Sequence, residues 1–172
     1  KPKCMVNVGG QPILGHWLNK LDQLGVNKFY INTHYLSEQV EEYVCRHPLR
    51  GKIETLHEDR LLGTAGSLNR HRHLFDEVTF VVHVDNYCHD NLNGLVDTFH
   101  SRPAEALMSF LVFKSSSPST CGVVTTYKNG LMSGFYEKQK KPPSNIASGA
   151  VFLCSKQFFN FFGAIFESQT DF

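Results

Sequence analysis

The sequence predicts an α/β fold, a three-layer α/β/α sandwich with a mostly parallel, Rossmann-like sheet and an antiparallel β-hairpin insertion. Segments of helical period alternate with short apolar segments between residues 12 and 113. Residues 80–84, Phe-Val-Val-His-Val, are almost continuously apolar, which is typical of a parallel strand covered by helices on both faces. An Asn-Gly pair at 129–130 separates two further apolar segments and indicates a tight hairpin, in which both residues are expected to supply the positive φ angles of the turn.

The first half of the chain contains three predicted helix and strand pairs. A helix is expected over residues 12–24, because apolar side chains recur at helical spacing, a proline lies in the first turn and a glycine follows the end. Ser37 is the expected cap of the second helix. The remaining predicted elements are strands 28–33 and 52–57, a helix over 63–75 and a strand over 79–84.

The second half changes from parallel to antiparallel patterns. A helix over 92–100 and a buried strand over 106–113 lead into a serine-rich loop at 115–120. Hairpin strands at 123–127 and 131–137, a loop at 140–145, a strand at 150–154 and an aromatic helix from 158 follow. Ligands of open α/β sheets bind beyond the carboxyl ends of the strands, and this rule points to Asp85 after strand 79–84.

Length and composition exclude several classes of protein. A chain of 172 residues with 41% apolar residues and 14 Phe is expected to fold around its own core, without metal or disulfide cross-links. Seventeen Lys and Arg against 16 Asp and Glu give a net charge of +1, so the overall charge predicts neither a nucleic-acid partner nor a membrane surface. Any anion must therefore be bound locally.

Cysteine usage and the absence of targeting signals point to the cytoplasm. The five cysteines are scattered, odd in number and free of Cys-x-x-Cys spacing, which favours a reducing compartment over zinc or redox chemistry. No apolar segment is long enough for a membrane span, and the first residues do not resemble a signal peptide. The sequence does not decide between a monomer and a homo-oligomer.

Five short segments place chemically informative residues in a fixed order. Residues 2–14 read Pro-Lys-Cys-Met-Val-Asn-Val-Gly-Gly-Gln-Pro-Ile-Leu, and residues 62–68 read Leu-Gly-Thr-Ala-Gly-Ser-Leu. Val-Asp-Asn at 84–86, Cys-Gly-Val-Val at 121–124 and Tyr-Glu-Lys at 136–138, with Asn145 and Gly149, complete the set. In this order the segments resemble those of sugar-1-phosphate nucleotidyltransferases, and in particular mannose-1-phosphate guanylyltransferases.

The resemblance implies a nucleotide-diphospho-sugar transferase fold and transfer of a nucleoside monophosphate from an NTP to a sugar 1-phosphate, with release of pyrophosphate. Such a transfer depends on positioning and charge neutralisation more than on covalent catalysis. By the resemblance, Asp85 holds Mg²⁺, while Lys3 and Lys138 contact the phosphates. On the residues alone, Asp85 also fits an ordinary loop start, and both lysines fit a solvated surface.

Binding residues follow from the same resemblance. Glu58, Gly63 and Thr64 are expected at the nucleotide, although Gly63 and Thr64 also fit a plain helix start. Sugar-pocket residues are Gly122, Glu137, Asn145 and Gly149, whose glycines also fit ordinary strand punctuation. The nine histidines receive no chemical role, because none has partners at metal-ligand spacing.

Departures from the family pattern leave three classes of function open. Residues 1–172 fit a single nucleotidyltransferase domain that lacks the first strand and the Gly-x-Gly-Thr-Arg phosphate loop, so the activity of this segment alone is in doubt. Asp171 is the candidate for a second metal ligand. The alternatives to an NDP-sugar-forming enzyme are a nucleotidyltransferase with a non-sugar phosphate acceptor and a non-catalytic regulatory homologue.

Overall fold

A computed structural model describes residues 1–169, which divide into two compact units. The first unit contains residues 1–73 and 84–89, and the second contains residues 74–83 and the chain from residue 90 onward. The helices are α1 (Ile13–Gln23), α2 (Ser37–Arg46), α3 (Gly63–Arg70), α4 (Asn93–Ser101) and α5 (Lys156–Gln169). The prediction of a single domain stays a prediction.

The first unit contains two small sheets. Strands β1 (Asn7–Val8) and β2 (Gln11–Pro12) form a short antiparallel hairpin that the sequence did not predict. Strands β3 (Phe29–Thr33) and β4 (Ile53–His57) pair in parallel, with Phe29 opposite Ile53. The buried face of α1 carries Leu14, Trp17, Leu18 and Leu21 at the spacing expected of an amphipathic helix.

The second unit contains a five-stranded sheet in which the described strand pairs are all antiparallel, which differs from the parallel pairing expected of residues 80–84. Its strands are β5 (Val78–Val82), β6 (Met108–Lys114), β7 (Gly122–Thr126), β8 (Met132–Glu137) and β9 (Ile146–Ser155). Strands β5, β6 and β7 each pair antiparallel with β9, and they therefore run in the same direction as one another. The apolar core of this unit includes Phe99, Val123, Leu153 and Phe159.

The hairpin predicted at Asn129 and Gly130 joins β7 to β8. Only Gly130 adopts a positive φ, of 83°, so the turn differs from one in which both residues are left-handed. The Asn129 side chain instead accepts a hydrogen bond from the Leu131 amide at 3.2 Å. The hairpin is therefore confirmed, whereas the conformation expected of Asn129 is wrong.

Element ends show the other differences from the sequence-based expectations. Ser37 does not cap α2, because Leu36 precedes the helix in a left-handed conformation and no side chain caps the first turn. Helix α3 ends at Arg70 and gives way to a short 3₁₀ turn at Arg72–Leu74. Strand β9 begins at Ile146, four residues before the predicted start at Ala150. Among the described residues, no helix is long and apolar enough to cross a membrane.

Candidate functional site

The first unit brings Lys3 and Asp85 together. Lys3 lies in a short 3₁₀ turn (Lys3–Met5), and its Nζ is 3.8 Å from Asp85 Oδ2. Asp85 follows β5 along the chain, and its side chain is 46% exposed. A half-exposed carboxylate next to an ammonium group can bind a cation or meet the charges of a phosphate ligand. The local geometry is compatible with the roles predicted for both residues.

Helix α1 fastens the segment that carries Asp85. The indole Nε1 of the buried Trp17 donates a hydrogen bond of 2.7 Å to the backbone oxygen of Asn86. The ring of His16 packs edge-on against Tyr87, with 5.2 Å between centroids. These contacts hold the two residues that directly follow Asp85. Sequence reasoning assigned Trp17 to the helix core only, although a buried indole N–H usually needs an acceptor.

The predicted nucleotide-binding residues lie between β4 and α3. Gly63 begins α3 with a φ of +71°, a conformation that strains any residue with a Cβ atom. A Cβ atom built on Gly63 meets nothing within 4 Å, whereas one built on Gly66 would lie 2.8 Å from Leu62 Cβ. The space beside Gly63 is therefore open, whereas Gly66 lacks a side chain because Leu62 packs against it.

Glu58 is completely buried beneath this turn. Its Oε2 accepts a hydrogen bond from the Leu62 amide at 3.3 Å, while Oε1 has no hydrogen-bond partner among the described residues. Burial favours the neutral acid, but the neighbouring Ser67, the Leu62 amide and Asn32 outweigh it and hold the pKa of Glu58 below its ordinary value. Glu58 is thus an internal carboxylate that stays charged at neutral pH.

The second unit brings Gly122 and Glu137 together across the hairpin. The two residues are direct partners in the β7–β8 register. A Cβ atom on Gly122 would lie 2.8 Å from Glu137 Oε2 and 2.5 Å from Phe135 Cζ, so only glycine leaves these two side chains in place. Glu137 Oε1 is 3.6 Å from Lys138 Nζ, and both side chains are more than half exposed. The Glu137 carboxylate and the Lys138 ammonium group are therefore accessible to solvent, and the Glu137 carboxylate lies next to the Gly122 backbone.

Lys138 is held in an unusual backbone conformation. Its φ is +45°, which is uncommon for a residue with a side chain, and its amide donates to the Cys121 oxygen at 3.1 Å. Hydrogen bonding to Ser115 and then to Thr120 lowers the pKa of the Cys121 thiol below its ordinary value. Such a constrained conformation often occurs where a side chain must point in a particular direction for function.

Asn145 and Gly149 lie at the start of β9. The backbone carbonyl oxygen of Asn145 accepts a hydrogen bond of 2.8 Å from the Ser115 amide. This bond holds the serine-rich loop against the start of β9. A Cβ atom on Gly149 would lie 3.2 Å from Leu111 Cδ2, opposite the β-bulge in β6. The next residue, Ala150, has a φ of +53°. This irregularity explains why the amino-terminal half of β9 escaped a prediction based on strand pattern.

The predicted site residues thus fall into two groups, one in each unit. Lys3, Glu58, Gly63, Thr64 and Asp85 belong to the first unit, and Gly122, Glu137, Lys138, Asn145 and Gly149 belong to the second. Asp171 lies outside the described residues. Within the described part of the chain, no group of three or more His, Cys, Asp and Glu side chains could hold a metal ion. A metal bound at Asp85 would need phosphate or water oxygens as further ligands.

Curated relatives include sugar-phosphate nucleotidyltransferases with different names. The catalytic subunit beta of mannose-1-phosphate guanylyltransferase from Xenopus tropicalis is 30% identical over 160 residues, which cover 90% of the chain but 44% of that protein. The UTP–glucose-1-phosphate uridylyltransferase AglF from Haloferax volcanii is 29% identical over 168 residues, which cover 98% of the chain and 66% of AglF. The chain therefore spans less than two thirds of the length of either relative.

Solved structures and a family model agree with these relatives. HddC from Yersinia pseudotuberculosis has the same fold, with a TM-score of 0.76 and 17% identity over 94% of the chain and 70% of HddC. This likeness confirms the predicted fold class, an α/β nucleotide-diphospho-sugar transferase fold. The family model described as nucleotidyl transferase matches residues 1–171. The chain therefore belongs to the nucleotidyl transferase family.

Proposed function

We propose that the chain is the nucleotidyltransferase domain of an enzyme that transfers a nucleoside monophosphate from an NTP to a sugar 1-phosphate and releases pyrophosphate. Family membership and the named activities of the relatives support this reaction class. The observation that carries the proposal is the chemistry of the residue pairs, Lys3 with Asp85 and Glu137 with Lys138. Each pair offers a cation for phosphate and a carboxylate for a metal ion or a hydroxyl group.

Bond formation requires the sugar phosphate oxygen to attack the α-phosphorus of the NTP while the bond to pyrophosphate breaks. Negative charge is spread over the phosphate oxygens during this displacement, so nearby ammonium groups stabilise it. Lys3 would contact the NTP phosphates, and Lys138 would contact the sugar phosphate and the α-phosphate. The left-handed backbone of Lys138 restricts where its side chain can point, which suits a positioning role.

Asp85 fits a magnesium ligand in this reaction. Its carboxylate is half exposed and pairs only loosely with Lys3, so an oxygen is accessible to a hard cation. One carboxylate is a common protein contribution to Mg²⁺, which takes its other ligands from phosphates and water. When bound, Mg²⁺ would neutralise and orient the phosphates of the NTP.

Glu137 would accept hydrogen bonds from sugar hydroxyl groups. The Glu137 carboxylate is exposed to solvent and lies next to Gly122. A side chain at position 122 would displace this carboxylate. Hydrogen bonds from neutral hydroxyls to a carboxylate are stronger than those between neutral groups. The cytoplasmic location expected from the sequence stays a prediction.

The proposal is tested by Asp85→Asn in the full-length gene product, with Asp97→Asn as the matched control. Asp97 is an exposed carboxylate on α4 for which no role in the reaction is predicted, so its variant makes the same charge change at a residue outside the predicted set. Asp85→Asn is expected to lower Mg²⁺-dependent pyrophosphate release by about a hundredfold or more. Its unfolding temperature should stay near that of the wild type, since exposed ion pairs contribute about 0–1 kcal/mol. Near wild-type turnover in this variant would remove Asp85 from the mechanism.

A further inference from the structure

The Lys3–Asp85 pair joins two segments that are far apart in the sequence. Lys3 Nζ is 3.8 Å from Asp85 Oδ2, and the two side chains are 84% and 46% exposed. An exposed ion pair contributes little to stability, because solvent screens the charges and two mobile side chains must be fixed. Other contacts must therefore keep the segments of Lys3 and Asp85 next to each other.

The segment that carries Lys3 is held against α1 by backbone hydrogen bonds. The Val6 amide donates to the Lys3 carbonyl oxygen at 3.0 Å, and the Ile13 amide donates to the Val6 carbonyl oxygen at 3.0 Å. Val8 then pairs with Gln11 in the β1–β2 hairpin. This hairpin leads directly into α1, so the position of Lys3 depends on how the hairpin is anchored to the helix.

His16, in the first turn of α1, anchors the hairpin through its side chain. Its Nε2 lies 2.7 Å from the Val8 carbonyl oxygen, and its Nδ1 lies 2.8 Å from Gln11 Nε2. A carbonyl oxygen only accepts hydrogen bonds, so the ring proton of His16 is on Nε2, and Nδ1 accepts from the Gln11 amide group. Both ring nitrogens are therefore bonded to the hairpin.

The same ring contacts the segment that carries Asp85. His16 packs edge-on against Tyr87, with 5.2 Å between the ring centroids and 82° between the ring planes. The next residue, Trp17, donates from its indole Nε1 to the Asn86 carbonyl oxygen at 2.7 Å. His16 and Trp17 thus hold the two residues after Asp85, and His16 also holds the hairpin.

From these contacts we infer that His16 is a positioning residue, which fixes the distance between the Lys3 ammonium group and the Asp85 carboxylate. The inference rests on the proposed function, in which Lys3 meets the phosphates of the NTP and Asp85 holds the Mg²⁺ bound to them. A ligand that bridges both groups requires a defined separation, since a displacement of about 1 Å can lower a rate about a hundredfold. His16 acts through the hairpin and Tyr87 and does not itself bind the nucleotide.

A bridging ligand distinguishes this role from a general contribution to folding. Magnesium-bound NTP would meet both Lys3 and Asp85, whereas metal-free NTP would meet Lys3 and would be repelled by the Asp85 carboxylate. Loss of the correct separation therefore weakens binding of magnesium-bound NTP more than binding of metal-free NTP. A loss of folded protein weakens the binding of both forms equally.

The experiment compares His16→Phe and His16→Gln with His100→Phe in the full-length protein. Phenylalanine keeps a ring against Tyr87 but makes no hydrogen bonds, and glutamine keeps a side-chain N–H that can donate to the Val8 carbonyl oxygen. His100 is an exposed histidine on α4 with no role assigned in the reaction, so its variant makes the same chemical change. Dissociation constants of GTP and UTP are measured by calorimetry with and without Mg²⁺, and amide hydrogen exchange is measured on the ligand-free protein.

His16→Phe is expected to raise the dissociation constant of the magnesium-bound nucleotide about tenfold and that of the metal-free nucleotide less than about threefold. Exchange of the Val6 and Ile13 amides should become about tenfold faster, since the hairpin loses its two side-chain anchors. His16→Gln should recover part of both effects, and His100→Phe should show neither. The KM for the sugar 1-phosphate should change less than about twofold, because the predicted sugar-pocket residues belong to the second unit.

Equal weakening of magnesium-bound and metal-free nucleotide in His16→Phe would overturn the inference, because the residue would then act on folding alone. Unchanged binding of both forms, or unchanged exchange at Val6 and Ile13, would equally overturn it. If His16→Phe does not fold, His16→Gln decides in the same way, with an expected increase of about threefold in the dissociation constant of the magnesium-bound nucleotide. If the wild type binds neither nucleotide, the proposed function fails, and hydrogen exchange alone then decides whether His16 anchors the hairpin.

Discussion

Gly122→Ala is the substitution whose effect can be worked out most fully from the structure. The added methyl group would lie 2.5 Å from Phe135 Cζ and 2.8 Å from Glu137 Oε2. Carbon atoms prefer separations of about 3.5–4.0 Å, so both side chains must move outward by about 1 Å. The backbone of Gly122 is extended and not left-handed, so alanine causes no strain there.

The cost of this movement to stability is small. Phe135 is 51% exposed, and the Glu137 side chain is 59% exposed, so both can swing into solvent. Substitutions of exposed residues usually change the free energy of unfolding by about 0.5 kcal/mol or less. The unfolding temperature of Gly122→Ala should therefore lie within about 2 °C of the wild type.

The cost to sugar binding is larger, because Glu137 loses its position. Hydrogen bonds to a charged group contribute about 1.5–3 kcal/mol, and displacement of the carboxylate by about 1 Å weakens them substantially. We expect the KM for the sugar 1-phosphate to rise about tenfold, while the KM for the NTP changes less than about twofold. Glu137→Ala should produce the same pattern with a larger increase.

Steady-state pyrophosphate release at varied concentrations of each substrate measures both KM values. Gly134→Ala is the matched control, because its methyl group crowds Tyr136 and Thr125 on the same hairpin and not Glu137. This control should leave the KM for the sugar phosphate near that of the wild type. Equal increases in both KM values for Gly122→Ala, or an effect of the same size in Gly134→Ala, would refute the assignment of Glu137 to the sugar pocket.

Other predictions concern Trp17, the cysteines Cys121 and Cys154, and Glu58. Trp17→Phe removes the hydrogen bond to the Asn86 backbone oxygen. This change should lower the unfolding temperature by at least about 2–4 °C and raise the Mg²⁺ concentration needed for activity. If both values stay unchanged, the hydrogen bond does not position Asp85. Iodoacetamide at neutral pH should label Cys121 before Cys154, since burial raises the pKa of Cys154 to about 12 and the pKa of Cys121 is lowered, and the order is read by peptide mass spectrometry. The folded-state pKa of Glu58 lies below its ordinary value, so its charge stabilises the fold at neutral pH and this contribution is lost as the pH falls through the folded-state pKa. The difference in unfolding temperature between the wild type and Glu58→Gln should therefore shrink as the pH is lowered, and a constant difference would contradict this.

Local patterns predicted most of the fold. The apolar spacing of α1, the Asn-Gly hairpin and the glycine at the start of α3 each appear where the sequence placed them, because each depends on neighbouring residues. The early start of β9 was missed because its pairing with β6 includes a bulge and a left-handed Ala150, which break the strand pattern. The cap predicted at Ser37 failed because the chain enters α2 through a left-handed Leu36.

The candidate site was predicted only in its residue types. Motif order identified Asp85, Glu137 and Lys138, but no local signal links Trp17 to Asn86, which are 69 positions apart. The burial of Glu58 was equally invisible, since a charged residue next to a loop is ordinarily exposed. Long-range contacts decide which residues touch a ligand and which hold others in place, and they arise only when the chain is folded.

The central claim is tested most directly by pyrophosphate release from the full-length gene product, assayed with each common NTP and a panel of sugar 1-phosphates in the presence of Mg²⁺. We expect release that requires both an NTP and a sugar 1-phosphate, and an NDP-sugar formed in an amount equal to the pyrophosphate. Absence of release with every pair, or release from an NTP alone at the same rate, would contradict it.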